Sequence, residues 1–243
     1  MQENYYLFFI LALLAEILGT VSGFGSSILF VPLASLFLDF KVVLGITAVF
    51  HLFSNLSKIY LFQSGIDKQI AIKLGIPAVI SVILGALLTN FIPQKQTELG
   101  MNVAIFCLAI YLLMGGQKKI KQNDTNLYLG GGISGFLAGL IGTGGAIRGL
   151  TLSAFHLPKD VFIATSALID MGVDSSRAVI YVANGYFTKE HLIYIPFLIG
   201  ISLLGSFLGK QILKKIPEAV FHYVVLGIIL LMSAIQMAKY LFQ

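Results

Sequence analysis

At 243 residues, 57% hydrophobic and 11% charged, with a mean hydropathy of +0.91, the chain is far more apolar than a water-soluble domain. These values place it among polytopic helical membrane proteins. The net charge of +5 comes from lysines that sit mostly between apolar stretches, where they set topology, and there is no soluble basic domain to hold nucleic acid.

The apolar stretches, in chain order, are 5–22, 25–38, 42–63, 69–92, 98–116, 127–141, 145–156, 161–182, 190–213 and 218–242. The polar start MQENYY lacks a basic region, and no small-residue cleavage site follows the first stretch, which is therefore expected to belong to the mature fold. A crossing takes about 20 residues, so 25–38, 127–141 and 145–156 are too short to span alone. They flank two glycine-rich breaks, SGFGSS (22–27) and IGTGGA (141–146). Short, glycine-interrupted segments at matching places in two halves point to a transporter binding site. The single cysteine, Cys107, lies in an apolar run, so it forms no internal disulfide, and metal-ligand spacing is absent; no metal or cofactor is expected.

The two halves match at an offset of 119 residues. Gly23 falls on Gly142, Gly25 on Gly144, His51 on Asp170, Asn55 on Asp174, Ser57 on Ser176 and Lys58 on Arg177. With a one-residue gap, Gly65 falls on Gly185 and Gly85 on Gly205. Lysine placement sets the sense of the duplication. Lys118, Lys119 and Lys121 form one basic loop, and Lys210, Lys214 and Lys215 another. If both face the cytoplasm, an even number of crossings separates them, which holds if 127–156 enters and leaves on one side and fails if it is a single broken crossing; on the even count each half crosses an odd number of times and the repeats are inverted. Lys68, Lys73 and Lys159 then also lie inside, while Lys41, Lys95, Lys189, Lys239 and both termini lie outside. The expected fold is an all-α polytopic membrane protein of two inverted repeats, each a Gly-interrupted helical hairpin followed by three transmembrane helices. Repeat 1 is 1–116, a basic cytoplasmic linker is 117–126, and repeat 2 is 127–243, forming one integral membrane domain.

Charges inside apolar stretches carry the functional signal. His51, Asn55 and Lys58 stand at i, i+4 and i+7 and form one helical stripe, and Asp170, Asp174 and Arg177 repeat it. A charge in mid-bilayer on a lipid-facing helix costs about 2.5–3.5 kcal/mol on insertion scales, so such groups face the interior and are paired. Arg177 has Asp174 and Asp170 within reach as structural partners. Lys58 has no acid on its own helix face; its partner comes from the other repeat or is a bound anion, or the side chain snorkels to an edge. Arg148 follows the second break. With Gly25, Ser26, Ser27, Gly144 and Gly145 supplying backbone N–H groups at half-helix starts, Lys58, Arg148, Arg177 and Asn55 make a cationic, donor-rich centre suited to an anion. Glu16 and His51, with Asp170 and Asp174, are the candidate groups for proton coupling. His156, His191 and His222 sit near span ends or loops and read as interfacial.

The segments ILGTVSGFGSSILFVPL (17–33) and GGGISGFLAGLIGTGGAIRGLTL (130–152), one per half, resemble the signature of the TauE/SafE family, also called the sulfite exporter or TSUP family. The resemblance covers nearly the whole chain. It implies a multi-pass carrier of the inner membrane for small anions, often sulfur-containing: sulfite, sulfoacetate or other organosulfonates. It leaves direction open. The first break departs from the family's pattern in carrying Ser26 and Ser27, and Thr151 stands where the first half has Pro32.

The function expected is thus a secondary transporter of small anions, working by alternating access with its site at the repeat interface. Its partners are a small anionic substrate, coupled protons, the lipid bilayer and, for the assembly, a second copy in a homodimer. The alternative is a cation/proton antiporter using Asp170 and Asp174. An intramembrane enzyme is the third class considered; H-E-x-x-H, G-x-S-x-G and a Cys/His cluster are all missing, so no enzymatic activity is expected.

Overall fold

The computed structural model describes residues 5–23, 25–89, 91 and 123–241, and between them only 99, 103, 106, 107, 109–111, 113 and 114. The stretch 98–116, most of the linker 117–126, and Lys95, Lys118, Lys119 and Lys121 therefore fall wholly or largely outside the described residues.

Among the described residues all regular structure is helical. The helices are α1 (Tyr5–Ser22), α2 (Ser27–Ala34), α3 (Phe40–Leu61), α4 (Lys68–Leu88), α5 (Asp124–Ile141), α6 (Gly145–Ser153), α7 (Lys159–Ala183), α8 (Tyr194–Leu213) and α9 (Glu218–Leu241). A 3-10 turn, Lys189–Ile193, leads into α8. Among the described residues three segments are long and apolar enough to cross a membrane: Phe40–Leu61, Lys68–Leu88 and Lys189–Leu213. The 25-residue α7 has the length, but Asp170, Asp174 and Arg177 interrupt its apolar character.

Side-chain polarity is arranged as lipid requires. Leu7, Ile10, Leu14 and Leu18 of α1 and Ile72, Ile76, Ile80 and Leu84 of α4 face outward at helical spacing, while Glu16, Lys58, Arg148, Asp174 and Arg177 are buried. A soluble bundle would place these groups the other way round.

Close contacts fix the direction of each helix. Gly131, Gly135 and Gly139 of α5 lie against the carbonyls of Leu74, Ala78 and Val82 of α4, so these helices run parallel with their backbones touching. α8 runs parallel to α1, with Gly205 against Glu16 and Gly209 against Thr20. α4 is parallel to α7, through Gly75 on Ile169 and Val79 on Gly172. α3 is antiparallel to α7: Gly45 meets Tyr186 just beyond α7, Asn55 meets Asp174, and Gly65 meets Asp160 at the start of α7. The ends of α3 and α8 coincide, where Lys210 caps the Leu61 carbonyl and lies 4.9 Å over the Phe62 ring. Hence α1, α3 and α8 point one way, and α4, α5 and α7 the other.

Lys68, Lys73, Lys159, Lys210, Lys214 and Lys215 consequently gather at one end of the bundle. There Lys73 pairs with Asp124 at 2.7 Å, and Lys159 caps the Ile216 carbonyl at 2.8 Å. Lys41 lies at the opposite end, 5.4 Å from the Tyr186 ring centre.

Each glycine break turns its chain back on itself. α2 doubles back along α1, bringing Ser26 to Glu16 and Phe30 and Phe37 to Phe8. α6 doubles back along α5, bringing Gly144 to Ser134 and Thr151 to Gly130. The turns begin at Gly23 (φ +76°) and Gly142 (φ +79°), a backbone conformation that a Cβ disfavours. Each closes on the carbonyl four residues earlier, Gly19 at 3.0 Å and Ala138 at 3.1 Å. The two tips point to opposite ends of the bundle: Gly23 rests on Phe162 and Ile163 near the start of α7, and Gly142 on Leu44 near the start of α3.

Candidate functional site

The site grows from α3, whose interior stripe carries Thr47, His51, Ser54, Asn55 and Lys58, all buried. Lys58 neither snorkels nor waits for a partner from the other half. Its Nζ lies 2.9 Å from Glu16 Oε1 on α1 and donates to Ser54 at 2.8 Å. Glu16, which the sequence offers as a proton carrier or equally as a hydrogen-bonded packing residue, is fully buried and satisfied. It accepts hydrogen bonds from Ser26 and Ser54 at 2.6 Å each, from Ser206 at 3.0 Å and from Thr20 at 3.3 Å. Gly205 makes room for it, since a Cβ there would come within 2.8 Å of the Glu16 side chain.

Ser26 links this cluster to the rest. It stands at the N-cap of α2 without capping it, because its hydroxyl lies between Glu16 Oε2 and His51 Nε2, 2.9 Å away. The other ring nitrogen of His51 faces α7, 3.5 Å from an Arg177 guanidinium nitrogen and 3.7 Å from Asp174 Oδ2.

On α7, Arg177 pairs with Asp174 one turn away through Nε at 2.7 Å and a terminal nitrogen at 2.6 Å. Its remaining nitrogen donates to the Gly142 carbonyl at 2.6 Å, tying the second break to the centre. Asn55 donates to Asp174 Oδ2 at 2.7 Å. Asp170, which the sequence offered to Arg177, is taken instead by Arg148 in a two-pronged pair. Arg148 Nε also donates to Ser166 at 2.9 Å. This pair lies beside the first break: a Cβ on Gly25 would sit 3.4 Å from Asp170 Oδ2 and 3.9 Å from Arg148.

The structure therefore brings together Glu16, Ser26, His51, Asn55, Lys58, Asp174 and Arg177 in one hydrogen-bonded network, with Arg148, Asp170 and Gly25 beside it. The expected cationic centre is corrected to a balanced one, because each of the three cations has an acid: Lys58 with Glu16, Arg148 with Asp170, Arg177 with Asp174. Ser27 and Gly145 open α2 and α6. Gly144 is pressed onto α5, where a Cβ would fall 1.9 Å from Ser134 O, so its small size serves the hairpin contact. Sequence reading missed the hydroxyls Thr20, Ser54, Ser166 and Ser206. Three of them stand one helical turn from a charge they bind (Thr20 from Glu16, Ser54 from Lys58) or from its partner (Ser166 from Asp170), and that spacing was the available signal. Groupings of acids, histidine or cysteine able to hold a metal are absent among the described residues.

An all-helical bundle with apolar faces outside and paired charges within is a membrane protein. The chain belongs to the Sulfite exporter TauE/SafE family, whose family model matches residues 8–237, and so to a family of membrane transporters. No curated protein and no solved structure matches it.

Proposed function

We propose that this protein is a secondary transporter of small oxyanions, sulfur-containing ones first, that moves its substrate together with protons. On this reading repeat 1 (1–116) and repeat 2 (127–243) are inverted, the linker 117–126 is cytoplasmic, and alternating access arises as the two halves rock about α3 and α7 in the inner membrane. The opposite directions of the equivalent pairs α1/α5, α3/α7 and α4/α8 support the inversion, and the clustering of lysines at one end supports the sidedness.

The observation that carries the coupling is the three-to-three balance of buried charge. An anion entering a neutral, low-dielectric centre alone leaves an unpaired charge there, which is strongly unfavourable. If a proton arrives on Glu16, Asp170 or Asp174, its paired cation is released to hold the anion, and a proton on His51 makes a new cation; either way the centre stays neutral. Substrate and proton then travel together. The antiporter reading is weaker, because Asp170 and Asp174 are each held by an arginine that an incoming cation would have to displace.

The test is thermal unfolding of the detergent-purified protein with sulfite, sulfate, thiosulfate, sulfoacetate, taurine, carboxylates and divalent cations. A ligand at a hundredfold excess over its Kd stabilises by about 2.7 kcal/mol. Stabilisation by one or more sulfur oxyanions, and uptake into proteoliposomes that acidifies their lumen, is the expected result. Stabilisation by cations alone would transfer the assignment to the antiporter.

A further inference from the structure

Among the described residues three buried side-chain oxygens have no hydrogen-bond partner: Thr47 Oγ1, Thr143 Oγ1 and Ser153 Oγ. A buried hydroxyl left unpaired destabilises a fold, and helical hydroxyls usually avoid this by bonding to the carbonyl four residues back. Thr151 does so at 2.9 Å and Ser176 at 2.8 Å; Thr47, fully buried within α3, does not. Its counterpart in the second half, Ser166, accepts from Arg148. The residue equivalent to Arg148 in the first half is Leu29, so Thr47 has no such donor.

Thr47 and Thr143 each neighbour a residue in contact with Arg177: Thr47 shares a face of α3 with His51, and Thr143 follows Gly142. Leu44, Thr47 and His51 share one face of α3. Leu44 touches Gly142, and His51 lies 3.5 Å from Arg177. Thr143 follows Gly142, whose carbonyl accepts from Arg177 at 2.6 Å, and precedes Gly144, the N-cap of α6. Thr143 is only 7% exposed. Ser153, by contrast, closes α6 at the end away from this break.

We propose that Thr47 and Thr143 form the oxygen-binding part of an oxyanion subsite beside Arg177, a proposal that rests on the anion-transport reading above. Lys58, Arg148 and Arg177 are each already paired with an acid, whereas these two hydroxyls can donate without dismantling an ion pair. Two O–H donors, one on α3 and one in the break between α5 and α6, near a guanidinium, suit a headgroup with at least two acceptor oxygens, such as sulfite or a sulfonate. Because one hydroxyl comes from α3 and the other from the second hairpin, the ligand would bridge the two halves.

Thr47→Val and Thr143→Val test this, because valine keeps the volume and removes the hydroxyl. Each variant is purified in detergent and melted with and without sodium sulfite or methanesulfonate, with chloride at equal ionic strength as control. Without ligand each valine variant melts higher than the native protein, since an unpaired buried hydroxyl has gone. Its sulfite affinity falls about tenfold, the worth of one hydrogen bond to a charged ligand, and the Thr143→Ser variant recovers it. Native sulfite affinity in both valine variants overturns the subsite alone. A lower melting temperature without ligand assigns the hydroxyls to the fold and overturns it too. If no anion stabilises the native protein, the transport reading fails and the subsite with it.

Discussion

Asn55 donates its side-chain amide to Asp174 at 2.7 Å, and the two residues are 119 positions apart, the offset that superposes the two halves of the sequence. On the proposed inverted-repeat reading, a residue that touches its own counterpart lies at the axis relating the halves; with α3 and α7 antiparallel, that axis would run across the helices, near the midplane of a membrane. The other two equivalent pairs, His51 with Asp170 and Lys58 with Arg177, then flank it on both sides. Replacing Asn55 with leucine keeps the bulk and leaves one oxygen of a buried carboxylate without its amide donor. The expected loss is about 1.5–3 kcal/mol, the range for a hydrogen bond to a charged group, read as a lower unfolding midpoint in detergent. An unchanged midpoint would detach Asn55 from the axis.

The Glu16–Lys58 pair makes a sharper prediction. Both side chains are almost wholly inaccessible, so losing one leaves the other charged and unmatched. Glu16→Gln and Lys58→Met are each expected to cost about 3–5 kcal/mol. The double variant, with a neutral amide opposite a thioether, should be more stable than the sum of the two losses allows. By contrast, Lys73→Ala breaks a pair whose Asp124 side chain is 58% exposed, and is expected to cost no more than about 1 kcal/mol, less in high salt. Equal losses at both sites would contradict the burial difference that separates them.

Much of this architecture was legible in the chain. The stripes at 51, 55, 58 and 170, 174, 177 followed from helical periodicity, and the breaks from glycine spacing. What periodicity cannot say is which helices touch. Glu16 and Lys58 are 42 positions apart on helices that only the tertiary fold brings together, so the sequence could not pair them and left the partner of Lys58 open. Asp170 read as a partner for Arg177 because both lie on α7, whereas Arg148 reaches it from the folded-back hairpin. Hydropathy alone fails at α7, because its charges are neutralised by neighbours that a single-segment average does not see. The parallel contact of α4 with α5 was also hidden. It depends on Gly131, Gly135 and Gly139, whose four-residue spacing marks a close helix contact but does not name the partner helix.

That contact supports its own prediction. A Cβ at Gly135 would fall 2.0 Å from the Ala78 carbonyl oxygen, so Gly135→Ala has to push two backbones apart. Overpacking of this kind costs about 1–3 kcal/mol or more. Gly200→Ala is the control: a Cβ there meets nothing within 4 Å, and alanine is a better helix former by about 1 kcal/mol. The first variant should melt lower and the second no lower than the native protein. A tolerated Gly135→Ala would place α4 and α5 further apart than described.

The last prediction concerns the route of the coupled proton. Ser26 donates to Glu16 Oε2 at 2.6 Å, so its single hydroxyl proton is committed and its oxygen accepts from His51 Nε2 at 2.9 Å. His51 then carries its proton on Nε2 and turns the lone pair of Nδ1 toward Arg177. A proton arriving at Nδ1 would be drawn to Asp174 and would repel Arg177. The charges around His51 are Glu16 from α1 through Ser26, Lys58 on its own helix, Arg148 from α6, and Asp170, Asp174 and Arg177 from α7. Reversing the Ser26 hydroxyl passes a proton between His51 and Glu16 and so joins the two clusters. Ser26→Ala removes this bridge but no charge. Anion-induced stabilisation should persist, while uptake driven by a pH gradient slows by about a hundredfold or more, the lower end of the range for a positioned proton-transfer group. A variant that keeps native proton-driven uptake would show that protons cross without Ser26. The coupling would then rest on the Arg148–Asp170 pair.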